Sequence, residues 1–148
     1  SDSEYVKEYV TEKLLFDTVG PMYIKEKLIR KGIHYDLIDA ELIRFTEDLE
    51  YAKIEDIIQK EIRYTLKKPL KKVLESLKRK CISKGFHIAI IDSQLLSFKE
   101  DIMAMIDESG LLVKELKQYT KQLKSGDYEE KQKVIKKLLS KNDIDSNK

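Results

Sequence analysis

The side chains best suited to chemistry in this chain are the basic ones between residues 60 and 84, where ten Lys and Arg stand against two acidic residues. Lysines at helical spacing give one face of a helix a positive field, which attracts a polyanion through counterion release. A nucleic-acid backbone or an acidic protein surface would satisfy such a face equally well. The candidate binding residues in this stretch are Lys60, Arg63, Lys67, Lys68, Lys71, Lys72, Lys78, Arg79, Lys80 and Lys84.

A second, smaller basic group is our second choice of contact surface. It consists of Lys25, Arg30 and Lys31, and its first and last members recur 53 residues later as Lys78 and Lys84. Most charge runs are only the solvated faces of amphipathic helices, so that interpretation stays open for both groups. The net charge of +2 conceals a contrast, because residues 1–49 hold 7 basic and 11 acidic side chains whereas residues 50–100 hold 12 and 7.

Aromatic side chains would add base stacking to phosphate contact if they lay among the lysines. Within residues 60–84 only Tyr64 is aromatic. The other aromatic residues at repeat positions are expected to pack in the core, and these are Tyr5, Tyr9, Tyr23, Tyr51 and Phe86.

The residue types that carry catalysis or metal binding are sparse and scattered. His34 and His87 each follow a glycine stop, where a polar side chain can cap the next helix, and no second His or Cys stands at ligand spacing. The chain has neither a phosphate-binding glycine loop nor a nucleophile elbow. We therefore expect no catalytic residues, no metal site and no cofactor, and a function other than that of an enzyme.

The cysteine and hydropathy patterns indicate the compartment. Cys81 is the single cysteine, so a reduced, buried thiol in a cytosolic protein is the simplest expectation. No stretch approaches the roughly 18 consecutive apolar residues that cross a bilayer, and no apolar signal segment follows the first residues. These features predict a cytoplasmic protein without a membrane partner.

The elements that position these residues are predicted to be helices throughout. Apolar side chains recur every three or four residues, as in Leu70, Val73, Leu74, Leu77 and Cys81, which is the pattern of a helix with one buried face. Five glycines and two prolines are too few to build the turns of many short strands. The predicted fold class is all-α.

Glycine and proline mark out a first unit of three helices. Gly20-Pro21 ends one helix and opens the next, since proline is tolerated at the first helical position. Gly32 closes the second helix, because glycine adopts the left-handed conformation without a Cβ penalty. A third helix follows, with Ile38 and Leu42 on its inner side.

Glycine and proline also mark a second unit and, less clearly, a third. Pro69 opens the second helix of the second unit, Gly85 closes it, and a third helix is predicted from Ile88 to about Phe98. Beyond it the pattern predicts helix with interruptions near Ser109-Gly110 and at Ser125-Gly126.

Shifting the sequence against itself indicates that these units are an internal repeat. A shift of 53 places Gly32-Ile33-His34 on Gly85-Phe86-His87, and a shift of 46 places Glu4-Tyr5 on Glu50-Tyr51. A fainter match lies 110 residues on. The predicted repeats are 1–46, 47–98 with longer helices, and a degenerate third at 99–148.

The order of motifs in the first repeat matches that of a known family. An acidic and aromatic opening at Asp2, Glu4 and Tyr5 precedes Gly20, the ending Leu28-Ile29-Arg30-Lys31-Gly32-Ile33 and a short third helix. This order resembles the repeat of the RecX family of recombinase regulators. It recurs with decay in the later units, so the resemblance covers most of the chain.

The resemblance implies tandem three-helix repeats forming an elongated, curved array. It also implies a non-enzymatic regulator that binds in the groove of the RecA–DNA filament, inhibits RecA, and so acts in DNA repair, homologous recombination and the SOS response. The expected partner is the RecA filament, with single- or double-stranded DNA backbone as a further contact, and the chain is expected to be a monomer. Because the family's leading repeat has no counterpart here, we expect the chain to be a fragment.

Two other functions stay open from the residues alone. One is a general nucleic-acid-binding helical module that acts without RecA, which would bind naked DNA as tightly as it binds filament. The other is a helical protein-interaction scaffold whose lysines only solvate its surface. Salt-insensitive binding through an exposed apolar patch would favour the scaffold.

Overall fold

The computed structural model describes residues 1–125 and 128–146, and every regular element in that part of the chain is helical. The predicted all-α class is confirmed. Two compact units are present, Ser1–Ile106 and Asp107–Lys148. The helices are α1 (Asp2–Phe16), α2 (Pro21–Arg30), α3 (Tyr35–Leu42), α4 (Glu47–Glu61), α5 (Leu70–Ser83), α6 (Ile88–Ser125) and α7 (Tyr128–Ser146), with a short 3-10 turn at Ile62–Tyr64.

Helices α1 to α3 form the first predicted group of three. The Ser1 hydroxyl accepts a hydrogen bond from the Glu4 amide and so caps α1. Pro21 is the first residue of α2, as predicted. Gly32 follows α2 with a φ of +83°, a conformation that glycine adopts without strain.

Helices α4, α5 and the start of α6 repeat this arrangement. Thr46 caps α4 by accepting from the Leu49 amide at 3.2 Å. Pro69 stands immediately before α5, and Gly85, with a φ of +91°, follows it. Tandem three-helix repeats are therefore present in the unit Ser1–Ile106.

The core is built from equivalent positions of the two repeats. Three pairs of fully buried residues, two in α2 and α5 and one in α3 and α6, correspond at the predicted shift of 53. The matched pairs are Ile24 with Leu77, Leu28 with Cys81 and Ile38 with Ile91, all at most 1% exposed. The shift of 53 is confirmed by burial.

The first helices of the two repeats align in a different register from the one predicted. At a shift of 46, Glu4, which is exposed, falls on Glu50, which is only 2% exposed. A shift of 48 instead superimposes core residues, placing Val6 on Ile54 and Val10 on Ile58. The identical Glu-Tyr pairs predicted the wrong register, because the register of a helix is set by its buried face.

Helix α6 is much longer than predicted. It runs from Ile88 to Ser125 without a break, so the predicted end near Phe98 and the interruption at Ser109-Gly110 are wrong. One glycine costs a helix only about 1 kcal/mol relative to alanine, and the helix-forming residues around it outweigh that cost. The other predicted interruption includes Gly126, which lies outside the described residues. The division of the chain at 98/99 stays a prediction.

The unit Asp107–Lys148 contains the end of α6 and all of α7. Tyr119 and Val134 are its buried residues in the part that the structure describes, at 9% and 7% exposed. Leu111 and Leu112 are apolar but 61% and 49% exposed. Few of this unit's side chains whose burial is described are therefore core residues.

Candidate functional site

The ten predicted binding residues between positions 60 and 84 surround the exposed sides of α5, and we call them the α5 basic surface. Lys60 and Arg63 lie at the end of α4 and in the turn after it, and Lys67 and Lys68 precede α5. On α5 itself, Lys78 pairs with a residue of α6 and Lys80 with a residue of α4. The basic surface therefore covers α5 from one neighbouring helix to the other, since only the opposite face of α5 is buried in the core.

Four members of the α5 basic surface have carboxylate partners. Lys60 lies 3.0 Å from Asp56, Lys72 lies 3.5 Å from Glu75, Lys78 lies 2.8 Å from Asp92, and Lys80 lies 3.8 Å from Glu61. All four lysines are at least 40% exposed. Such surface ion pairs contribute at most about 1 kcal/mol, so a polyanion could displace the carboxylates at little cost.

The other six members have no acidic partner within 4.0 Å among the described residues. They are Arg63, Lys67, Lys68, Lys71, Arg79 and Lys84. All but Lys84 are exposed, and Lys84 is half-buried. Uncompensated charge of this kind attracts anionic partners and depends on ionic strength.

Tyr64 follows Arg63 in the turn after α4 and is 74% exposed. The Arg63 guanidinium lies 5.7 Å from the centre of its ring. An exposed aromatic ring beside a guanidinium can stack on an unpaired base. By contrast, Phe86 is 1% exposed and lies in the core, as expected. Tyr5, which was also expected in the core, is 37% exposed.

The second basic group is engaged within the first repeat. Lys25 lies 2.8 Å from Asp39, and this pair is the equivalent of Lys78 and Asp92 at the shift of 53, also 2.8 Å apart. In each repeat a lysine thus links the second helix to the third. Arg30 pairs with Glu26 of its own helix at 2.6 Å.

Lys31 completes the second basic group and lies against α1. Its ammonium group is 5.3 Å from the centre of the Tyr5 ring. The neighbouring Tyr5 side chain raises the pKa of Lys31. All three members of the group therefore have contacts of their own, so the α5 basic surface is the stronger candidate for binding a partner.

The position of Lys84 is fixed by a joint between the two repeats. The Gly20 amide donates to the Lys84 carbonyl at 2.8 Å, and the Met22 amide donates to the Gly85 carbonyl at 3.0 Å. The first amides of a helix have no acceptor within it, so the turn after α5 satisfies the start of α2. Main-chain hydrogen bonds thus link the two repeats.

Lys53 reinforces this joint from α4. Its ammonium group donates to the Asp17 carbonyl at 2.5 Å and to the Lys13 carbonyl at 3.4 Å, at the end of α1. Burial lowers the pKa of Lys53. A cation at a helix C-terminus is favourable because carbonyl groups there lack helical partners.

A buried carboxylate that the sequence did not reveal lies between α4 and α6. Glu50 is 2% exposed and accepts from the His87 amide at 2.8 Å, and the same oxygen lies 2.8 Å from His87 Nδ1. The predicted capping role holds for His34, whose ring accepts from the Asp36 amide at 3.2 Å, but the ring of His87 is turned to Glu50 instead. No sequence signal marked Glu50, because an acidic residue near the start of a helix is ordinary.

Cys81 contributes to packing. Cys81 is fully buried, and burial raises the pKa of its thiol to about 11, with the nearby Glu61 carboxylate adding to the effect. In residues 1–125 and 128–146, no group of three or more His, Cys, Asp or Glu could hold a metal ion. None of the helices in those ranges is both long and apolar enough to cross a membrane.

Known proteins resemble this chain along nearly all of its length. A regulatory protein RecX from Streptococcus agalactiae serotype V is 35% identical over 145 residues, which cover 95% of this chain. The resemblance to the RecX family is confirmed. A regulatory protein RecX from Bacillus pumilus is 29% identical over 147 residues and covers 99% of the RecX-like chain. No protein-family profile matches it.

Solved RecX structures share the fold. A crystal structure of RecX from Lactobacillus salivarius has a TM-score of 0.59 and 26% identity, covering 66% of this chain and 63% of that one. Another crystal structure of a regulatory protein RecX has a TM-score of 0.60 and 25% identity, covering 63% and 47%. The RecX-like chain spans about half the length of the curated relatives it matches, 54% and 56% for the two named above.

Proposed function

We propose that this RecX-like chain acts in a non-enzymatic regulator that binds the RecA–DNA filament and inhibits it. The observation that carries the proposal is the match to regulatory RecX proteins along 95% of the chain. The α5 basic surface supplies the contact, because six of its ten cations have no acidic partner within 4.0 Å among the described residues. These cations meet the DNA backbone or an acidic surface of RecA in the filament groove.

Inhibition follows if the bound repeats hold neighbouring filament subunits in one state. A ligand shifts a conformational equilibrium only by the difference between its affinities for the two states. A rigid body is suited to this task, and the main-chain joint between the repeats supplies rigidity to the unit Ser1–Ile106. The chain works as a monomer in the cytoplasm, where RecA and chromosomal DNA meet.

The first prediction concerns the α5 basic surface. Replacing Lys71, Lys72 and Arg79 by Glu should weaken inhibition of the DNA-dependent ATP hydrolysis of RecA by about tenfold or more, since each reversal removes one attraction and adds one repulsion. The measurement is ATP turnover titrated with the chain at two salt concentrations. The matched control replaces Lys114, Lys117 and Lys121 by Glu, which changes the net charge equally outside this surface.

Equal inhibition by the first triple variant and the wild type would contradict the assigned surface. Glutamate at position 71 is favourable in the first turn of α5, because a negative charge there interacts well with the helix dipole. If the variant keeps wild-type helicity, its loss of inhibition is not a folding defect. Binding of naked DNA as tight as binding of filament, at physiological salt, would instead favour the general nucleic-acid module. The exposed Tyr64 supports this second candidate, because its ring can stack on an unpaired base.

A further inference from the structure

A groove with an apolar floor and a basic rim lies between α5 and α6, within the unit Ser1–Ile106. Its volume is about 420 Å³. Leu74 and Leu95 form its inner side, and Leu96 is 73% exposed at its mouth. The charged residues that line it are Lys71, Glu75, Lys78, Asp92 and Lys99.

The two carboxylates of this groove are already neutralised. Asp92 lies 2.8 Å from Lys78, and Glu75 lies 3.5 Å from Lys72. Lys71 and Lys99, one on each helix, have no acidic partner within 4.0 Å among the described residues. The groove therefore offers two uncompensated cations beside an exposed leucine.

We propose that this groove binds an acidic protein segment that inserts one apolar side chain against Leu74, Leu95 and Leu96. Carboxylates of the segment pair with Lys71 and Lys99, and its apolar side chain removes the surface of Leu96 from water. An anchor in a pocket surrounded by charged contacts is the usual arrangement of a protein interaction site. The inference goes beyond the proposed function, because the groove would bind such a segment whether or not RecA supplies it.

The chemistry of the groove favours a protein segment over nucleic acid. A phosphate backbone could use the two lysines but not the leucines, and no aromatic residue lines the groove to stack a base. Nucleic acid is better served by the other members of the α5 basic surface, such as Lys67, Lys68 and Arg79.

The test uses the full chain and a short fluorescein-labelled peptide of Asp and Glu with one central Leu. Two probes accompany it: the same peptide with Ser in place of the Leu, and an oligothymidylate of equal charge. Binding is measured by fluorescence anisotropy for the wild type, Leu96→Ser and Lys99→Gln. The matched controls are Leu15→Ser, which changes a leucine 69% exposed on α1, and Lys7→Gln, with folding checked by circular dichroism.

The wild type should bind the leucine peptide about tenfold more tightly than the serine peptide, and Leu96→Ser should remove that difference. Lys99→Gln should weaken both peptides by about threefold, while the two controls leave binding unchanged. No binding of the leucine peptide to the folded wild type would overturn the proposal. Loss of oligothymidylate binding in Leu96→Ser, as large as the loss of peptide binding, would assign the groove to nucleic acid and overturn it too. RecA inhibition is measured separately, so failure here leaves the proposed function standing.

Discussion

At the scale of single residues, the fold buries a carboxylate whose stability depends on its hydrogen-bond partners. Glu50 is almost fully buried, and its carboxylate is satisfied by the amide and ring of His87. A buried charge that loses a partner is costly, because water cannot replace the lost hydrogen bond.

We expect His87→Ala to lower the free energy of unfolding by about 1–3 kcal/mol, since the Glu50 carboxylate keeps only the backbone amide as a partner. His34→Ala, at the equivalent position, removes an exposed helix cap and should cost about 1 kcal/mol or less. Urea denaturation followed by circular dichroism compares the two. Equal losses would show that the Glu50–His87 contact adds nothing to the turn that both histidines share.

Cys81 should be inert in the folded chain. A thiol with a pKa of about 11 is protonated at pH 8 and, being fully buried, should not react with an aromatic disulfide reagent until the chain unfolds. The folded pKa exceeds the unfolded value of 9.0, so the thiol's contribution to stability is complete below pH 9 and is lost as the pH rises toward 11. Release of the coloured thiolate with and without denaturant measures the reactivity, and rapid labelling of native protein would contradict the burial.

At this scale the sequence shows where the basic residues cluster but not which polar contacts the core contains. The α5 basic surface could be identified because charge density is visible in the sequence itself. Glu50 could not, since the partner that makes its burial possible lies 37 residues away and reaches it only through the fold. The paired state of Lys25 and Lys78 was hidden for the same reason.

At the scale of elements, glycine and proline predicted the ends of α2 and α5 correctly because they act locally. The same reasoning failed at Gly110, where the glycine has an ordinary helical conformation and nothing within 4 Å of the space a Cβ would fill. A glycine stops a helix when its φ turns positive, as at Gly32 and Gly85. Whether a glycine stops a helix depends on what the following residues pack against, and these packing contacts cannot be read from the sequence.

The two glycine stops should differ in their tolerance of a methyl group. Gly32→Ala should cost about 1–2 kcal/mol, the strain of a positive φ, because nothing lies within 4 Å of the new atom. Gly85→Ala carries the same strain and also overlaps the backbone and Cβ of Tyr23, so it should cost at least about 2 kcal/mol more. Thermal unfolding of the two variants measures the difference, and equal melting temperatures would show that the joint does not fix the turn.

At the scale of the whole molecule, the spacing of apolar residues predicted the all-α class, and the positions of glycine and proline predicted the tandem repeats. Both predictions are confirmed. The sequence did not predict how α1 and α4 align as equivalent helices of the two repeats, nor the length of α6, because both depend on burial rather than on residue identity. The resemblance to RecX is visible in the sequence, because the Leu-x-x-Lys-Gly-Ile ending combines a buried leucine, a helix stop and a core residue in one short motif.

If the α5 basic surface binds DNA directly, its affinity should fall steeply with salt. Each phosphate contact on single-stranded DNA contributes about 0.7 to the slope of log K against log salt. Replacing Lys71, Lys72 and Arg79 by Glu should therefore reduce that slope by about 2. Anisotropy titrations of an oligothymidylate over a range of salt give the slope, and an unchanged slope would place the DNA contacts elsewhere on the chain.

The joint between the repeats also bears on how their surfaces can differ. The atoms that meet there are the amides of Gly20 and Met22 and the carbonyls of Lys84 and Gly85. Such a contact constrains two glycines and leaves the neighbouring side chains free to vary. An acidic first repeat and a basic second one can therefore share the same main-chain contact, so substitution of charged residues other than Lys53 can alter the charge of either repeat without altering that contact.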